Sequence, residues 1–176
     1  MASTAYDALS SRLDDIDQLM AAHGAVGGVE RGRRFEVEAL NRAAVLLLSA
    51  HLEGYLEDLL SEAVSAVHTG LATDDLTKRF ANPTTGNVDG LFRFLGLNKP
   101  CDSISWQRAG NAAVKKNINE LVETRNAIAH GTTGVTVHKR MVTRYRQYVV
   151  GFAKRFDNLV RDRVATLTGT SPWSDA

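Results

Sequence analysis

Residues 37–63, VEALNRAAVLLLSAHLEGYLEDLLSEA, carry the longest regular apolar pattern in the chain. Val37, Leu40, Ala44, Leu47, Leu48, Leu52, Tyr55, Leu59 and Ala63 trace one helical face, so the pattern predicts a helix from about residue 33 to 68. Inside it, AAVLLLSAHL at 43–52 is apolar on most sides, which requires a central helix with neighbours all round it.

Working outward, Leu9, Leu13, Ile16 and Met20 lay an apolar stripe along a first helix over 5–22, with His23, Gly24, Gly27 and Gly28 expected to end it. From 69 to 104, Gly70, Pro83, Gly86, Gly90, Gly96 and Pro100 break the chain repeatedly. Short helices are expected near 73–80 and 88–95, with Asn82-Pro83 starting a turn and either Asn87 or Asp89 capping the second. A helix over 108–130 presents Val114, Ile118, Leu121, Val122, Arg125, Ile128 and Ala129 inward, and Gly131 can take the left-handed conformation that closes it. A last helix over 136–166 buries Met141, Tyr145, Tyr148, Val149, Phe152, Phe156, Leu159, Val160 and Val164. GVTV at 134–137 is too short for a sheet. The expected fold is all-α: a bundle of four main helices plus short helices in the 69–104 connection. Residues 1–168 are expected to form one domain, with 169–176 a loosely held tail.

The chain has 176 residues, 44% hydrophobic and 23% charged, which suits one globular domain with a sizeable core. No apolar run approaches the roughly 18 residues that a membrane span requires. The opening MASTAYDALSSRLDDIDQ lacks a basic segment followed by an apolar one, so no secretory signal is expected. Cys101 is alone, so neither an internal disulfide nor a cysteine-rich metal site is expected, and a reducing cytoplasm is the default setting. Net charge is +1, but it is segregated: −8 over residues 1–75, +4 over 76–135 and +6 over 136–167. Such a distribution either leaves a positive face for a polyanion or draws the two halves together inside the fold or between subunits.

The segment that packing does not explain is RNAIAHG, residues 125–131. Arg125 follows Leu121 and Val122 on the inward stripe, where an unpaired charge is costly. Either Glu53 on the central helix holds the guanidinium while His130 merely caps its helix, or the two side chains serve a site. Asn126 and His130 are four apart and share a face. Arg125 and His130 diverge by about 140° with a rise of roughly 7.5 Å, so a single helix does not bring both onto one small substrate. Elsewhere, His51 and Tyr55 share a helical direction and read as an interface pair, and His23, His68 and His138 have no compact ligand spacing. Cys101 has no neighbouring base, and Trp106 is expected to anchor the start of the motif helix.

With that motif, SAHLEGYLEDLL at 49–60 and NVDGLFRFLGL at 87–97, the chain over about 35–165 resembles the HEPN superfamily, specifically its RiboL-PSP-like branch. The resemblance rests on Arg-x4-His, here Arg125 to His130, before a glycine at a helix end. It implies a bundle that pairs about a two-fold axis as a homodimer and brings two such motifs into one cleft. It further implies a metal-independent endoribonuclease without a cofactor, with RNA as substrate, in toxin-antitoxin, antiviral defence or RNA-processing systems. An antitoxin or defence-complex partner belongs to the same expectation. Other members have lost catalysis and act as interaction or nucleotide-binding modules; the intact Arg125, Asn126 and His130 favour catalysis here. By the same analogy Glu53 orients the arginine. Lys139, Arg140, Arg144 and Arg146 are the candidates for RNA backbone contact, or else ordinary surface charges.

Overall fold

The structure is a computed structural model that describes residues 2–26, 37–68, 73–78 and 80–176, the side chain of Asp74 excepted. The expected helix start at 33–36 and the stop signals Gly27, Gly28 and Gly70 lie outside the described residues. Among the described residues six α-helices follow one another: α1 (Thr4–Val26), α2 (Glu38–Val67), α3 (Asp74–Thr77), α4 (Thr85–Leu91), α5 (Asn111–Ala129) and α6 (Lys139–Thr168). Single 3-10 turns at Phe92–Leu95 and Pro100–Ser103 complete the connection between α4 and α5. Among the described residues there is no strand, only an isolated backbone pair between Trp106 and Ala109. The all-helical bundle read from the sequence is therefore the fold.

The apolar run of α2 places it at the centre. It packs against α1, α5 and α6, and Ala44, Val45, Leu48, Leu52, Tyr55, Leu56, Leu59 and Leu60 are fully buried. Leu47, expected on the inward face, is 37% exposed, because the real interface is centred one position further along the helix at Leu48. Helix α1 runs through Gly24 to Val26 instead of stopping at 22. Its first turn is satisfied by α2, since Glu62 accepts the backbone N–H groups of Thr4 and Ala5 at 3.1 Å each.

Neither Asn87 nor Asp89 caps α4. Thr84 does, its side chain accepting the Asn87 N–H at 3.2 Å, and Asp89 instead accepts the Cys101 N–H at 2.8 Å. Thr85 then ties α4 to α5, its N–H and hydroxyl both bonded to the Asn119 Oδ1 at 2.9 and 3.2 Å. The connection is nailed to α6 by Phe92, which meets Phe156 edge to face with centroids 4.7 Å apart. Trp106 anchors the start of α5 as expected, packing on Tyr148, under the Arg155 guanidinium and over Gly151.

The C-terminal tail is held rather than loose. Arg161 pairs with Asp175, and the Ala176 N–H donates to Asn158 Oδ1 at 2.9 Å. Trp173 packs against the core, and beneath it the fully buried Asp157 accepts the Ser3 hydroxyl. The last turns of α6 thus supply the partners that the tail's own composition does not reveal.

Candidate active site

Helix α5 presents the motif at its end. The terminal turn closes as a double hydrogen-bonded cap: the Thr132 N–H donates to the Ala127 carbonyl at 2.9 Å and the Gly131 N–H to the Ile128 carbonyl at 3.1 Å. This geometry needs a left-handed residue after the helix, and Gly131 has φ +67°. His130 is the residue between, with φ −86° and ψ 5°. Its side chain is exposed and makes no hydrogen bond to protein among the described residues. The imidazole is consequently open to a substrate or a second chain. Ala129, expected on the inward stripe, is exposed as well.

Arg125, one and a half turns earlier, is half-buried, and its partners are neutral. Nη1 donates to the carboxamide oxygen of Asn126 at 2.9 Å and to that of Asn82 at 3.4 Å. Among the described residues no carboxylate forms an ion pair with it, and no protein acceptor engages Nε or Nη2. The direct Glu53 partnership expected from the sequence is absent. Glu53 instead accepts the backbone N–H of Asn82 at 3.3 Å, so it reaches Arg125 only at one remove. Asn82 has φ +57°, a left-handed conformation that asparagine tolerates better than most residues. Its carbonyl accepts from the Thr84 N–H at 2.6 Å and from Asn87 Nδ2 at 2.8 Å.

Asn82 is the residue that the sequence reading missed at this site. Asn-Pro marked a turn, but nothing local says that the turn faces a guanidinium on a distant helix.

The four basic candidates divide. Lys139 and Arg140, in the first turn of α6, are exposed. Arg140 and Arg144 line a cleft of about 400 Å³ with Glu120 and Met141, and Arg144 pairs with Glu120 at 2.6 Å. Arg146 faces the other way and pairs with Asp17 of α1 at 2.6 Å.

Other titratable groups have structural settings. His51 lies 3.4 Å from Asp15, and burial pushes its pKa below the ordinary histidine value despite that carboxylate. Burial, then Asp89, drives the Cys101 thiol far above its usual range, so the thiolate is disfavoured. Among the described residues no group of three His, Cys, Asp or Glu side chains is placed to hold a metal ion, and no helix is long and apolar enough to cross a membrane.

No curated protein and no solved structure matches the chain. The family model of RiboL-PSP-HEPN domains matches residues 7–162, a span that begins in α1, includes all of α2 to α5 and ends in the last turns of α6. That family is generally associated with nuclease activity on RNA. With that match over most of its length, laid on an all-helical bundle, the chain belongs to the RiboL-PSP-HEPN family.

Proposed function

We propose that the protein is a metal-independent endoribonuclease in which Arg125 holds the scissile phosphate and His130 moves protons. The observation that carries this reading is the state of Arg125. Two carboxamide oxygens fix Nη1, while Nε–H and Nη2–H, the pair of parallel donors that matches two phosphate oxygens, have no protein partner among the described residues. An arginine held in this way keeps its full charge for an anion.

RNA supplies its own nucleophile. The 2'-oxygen attacks phosphorus, its proton passes to a histidine, the P–O5' bond breaks, and a second histidine protonates the departing oxygen. The products are a 2',3'-cyclic phosphate and a 5'-hydroxyl. Each proton transfer contributes rate factors of about 100 to 10,000, and the guanidinium stabilises the charge that builds on the phosphate oxygens. Arg125 and His130 leave one helix in different directions, so a two-fold homodimer that brings two α5 ends together completes the site, with the two His130 rings dividing acid and base work. The exposed Lys139 and Arg140 lie at the start of the next helix and suit backbone contacts on either side of the cleaved bond. Arg144 and Arg146 reach RNA only by leaving Glu120 and Asp17. A toxin-antitoxin or antiviral defence setting, with an antitoxin or defence-complex partner restraining the enzyme, fits such an activity.

The test is end-group analysis of RNA incubated with the protein in EDTA. Cyclic phosphate and 5'-hydroxyl ends, with 2'-O-methyl RNA bound but uncut, support the mechanism. Binding of RNA or nucleotide with no cleavage of structured or single-stranded RNA assigns the protein instead to the non-catalytic interaction or nucleotide-binding modules.

A further inference from the structure

We infer that Asn82 is a positioning residue: it transmits the fixed position of Glu53 to the Arg125 guanidinium while keeping a carboxylate away from it. This rests on the reading of Arg125 as the phosphate-binding group. Three elements meet at this one residue. Its N–H reaches the Glu53 carboxylate on α2 at 3.3 Å, and its side-chain oxygen receives Arg125 Nη1 from α5 at 3.4 Å. Its carbonyl is locked by Asn87 of α4 at 2.8 Å, and the same Asn87 amide also holds the Ala81 carbonyl at 3.1 Å. The left-handed φ of +57° is what lets the backbone N–H address α2 while the side chain addresses α5.

The chemistry explains why an amide stands here. A glutamate directly on Arg125 would orient it, but it would also compete with a phosphate for the same donors and cancel the charge that attracts RNA. A carboxamide oxygen orients through a hydrogen bond and carries no net charge. Glu53 then acts on the loop and not on the guanidinium. Its carboxylate accepts a backbone N–H and forms no ion pair with Arg125 among the described residues.

Two substitutions separate this role from a structural one. Asn82→Gly accepts a positive φ, so it retains the backbone bonds to Glu53 and Asn87 and removes the side chain whose oxygen receives Arg125. Asn82→Asp keeps the shape and introduces the charge. Both are expected to stay folded by circular dichroism. Asn82→Gly should lower kcat about tenfold with KM within about twofold, because the charge remains but its aim is lost. Asn82→Asp should raise KM, and the Kd for uncleavable 2'-O-methyl RNA, about fivefold or more as the new carboxylate competes for Arg125. Two folded variants with the kcat and KM of the wild type would overturn the inference.

A third readout needs no RNA. Slow rotation of the Arg125 guanidinium, seen as resolved Nη signals in nitrogen-15 spectra, should become faster in Asn82→Gly, where Asn126 alone still holds Nη1 at 2.9 Å, and an unchanged rate would overturn the relay. A wild type with restrained Arg125 that neither cuts nor binds RNA would defeat the nuclease reading and leave the hydrogen-bonded relay standing.

Discussion

Gly131 decides where His130 stands. A Cβ added at Gly131 would meet nothing within 4 Å, so the cost of Gly131→Ala comes from the backbone alone, at φ +67°. The expected loss is about 1 kcal/mol in a denaturant melt. The same substitution loosens the cap that sets the imidazole, so cleavage should fall by more than the lost stability explains. Arg125 makes a complementary point about chemistry at one position. Arg125→Lys retains the charge but not the planar fork, and lysine cannot offer parallel donors to two phosphate oxygens. RNA affinity should therefore survive better than turnover, a KM-against-kcat split that steady-state kinetics on one defined RNA resolves. Wild-type affinity and turnover in the lysine variant would show that Arg125 contributes charge only.

At the scale of the elements, the short connection matters as much as the long helices. Thr84→Ala removes the side-chain acceptor at the start of α4 and should cost about 1 kcal/mol in thermal or chemical unfolding. The effect should reach the site, because α4 carries Asn87, which locks the Asn82 carbonyl. The long helices were legible because apolar residues repeat at the helical period over many turns, and Leu48, Leu52, Leu121 and Phe156 occupy the core positions that the period assigns. The connection was not legible in the same way. Its turns are set by single hydrogen bonds: Thr84 rather than Asn87 or Asp89 as the cap, and Asp89 on the Cys101 N–H. Bonds of this kind join residues whose spacing carries no periodic signal. The site divides along the same line. Arg125, Asn126 and His130 share one helix end and can be found as a motif, whereas the Asn82 bond to Arg125 and the displacement of Glu53 from it depend on how a loop crosses two helices.

For the whole molecule, part of the segregated charge is used inside the fold. Asp17 and Arg146 join the acidic N-terminal part to the basic C-terminal part across α1 and α6, while Lys139 and Arg140 remain exposed in the first turn of α6. Replacing those two with alanine should flatten the dependence of log affinity on log salt for single-stranded RNA by about 1.4, or roughly 0.7 for each phosphate that is no longer neutralised. Stability has its own pH signature. Burial raises the Asp157 pKa above the ordinary carboxylate value of 3.8, against the opposing pull of the Ser3 hydroxyl. The folded state thus keeps a proton that the unfolded chain gives up. That contribution is complete below 3.8 and is lost as pH rises through the folded-state value. Compared with Asp157→Asn, the wild type should lose melting temperature as pH climbs through this window and then run parallel to it; a constant difference would show that the carboxyl titrates alike in both states. The most direct measurement of the central claim is cleavage of RNA in EDTA by folded wild type, Arg125→Ala and His130→Ala, with oligomeric state followed alongside. If Arg125 holds the phosphate and His130 moves protons, wild-type cleavage falls at least about 100-fold in each variant; undiminished cutting by folded His130→Ala would contradict those roles.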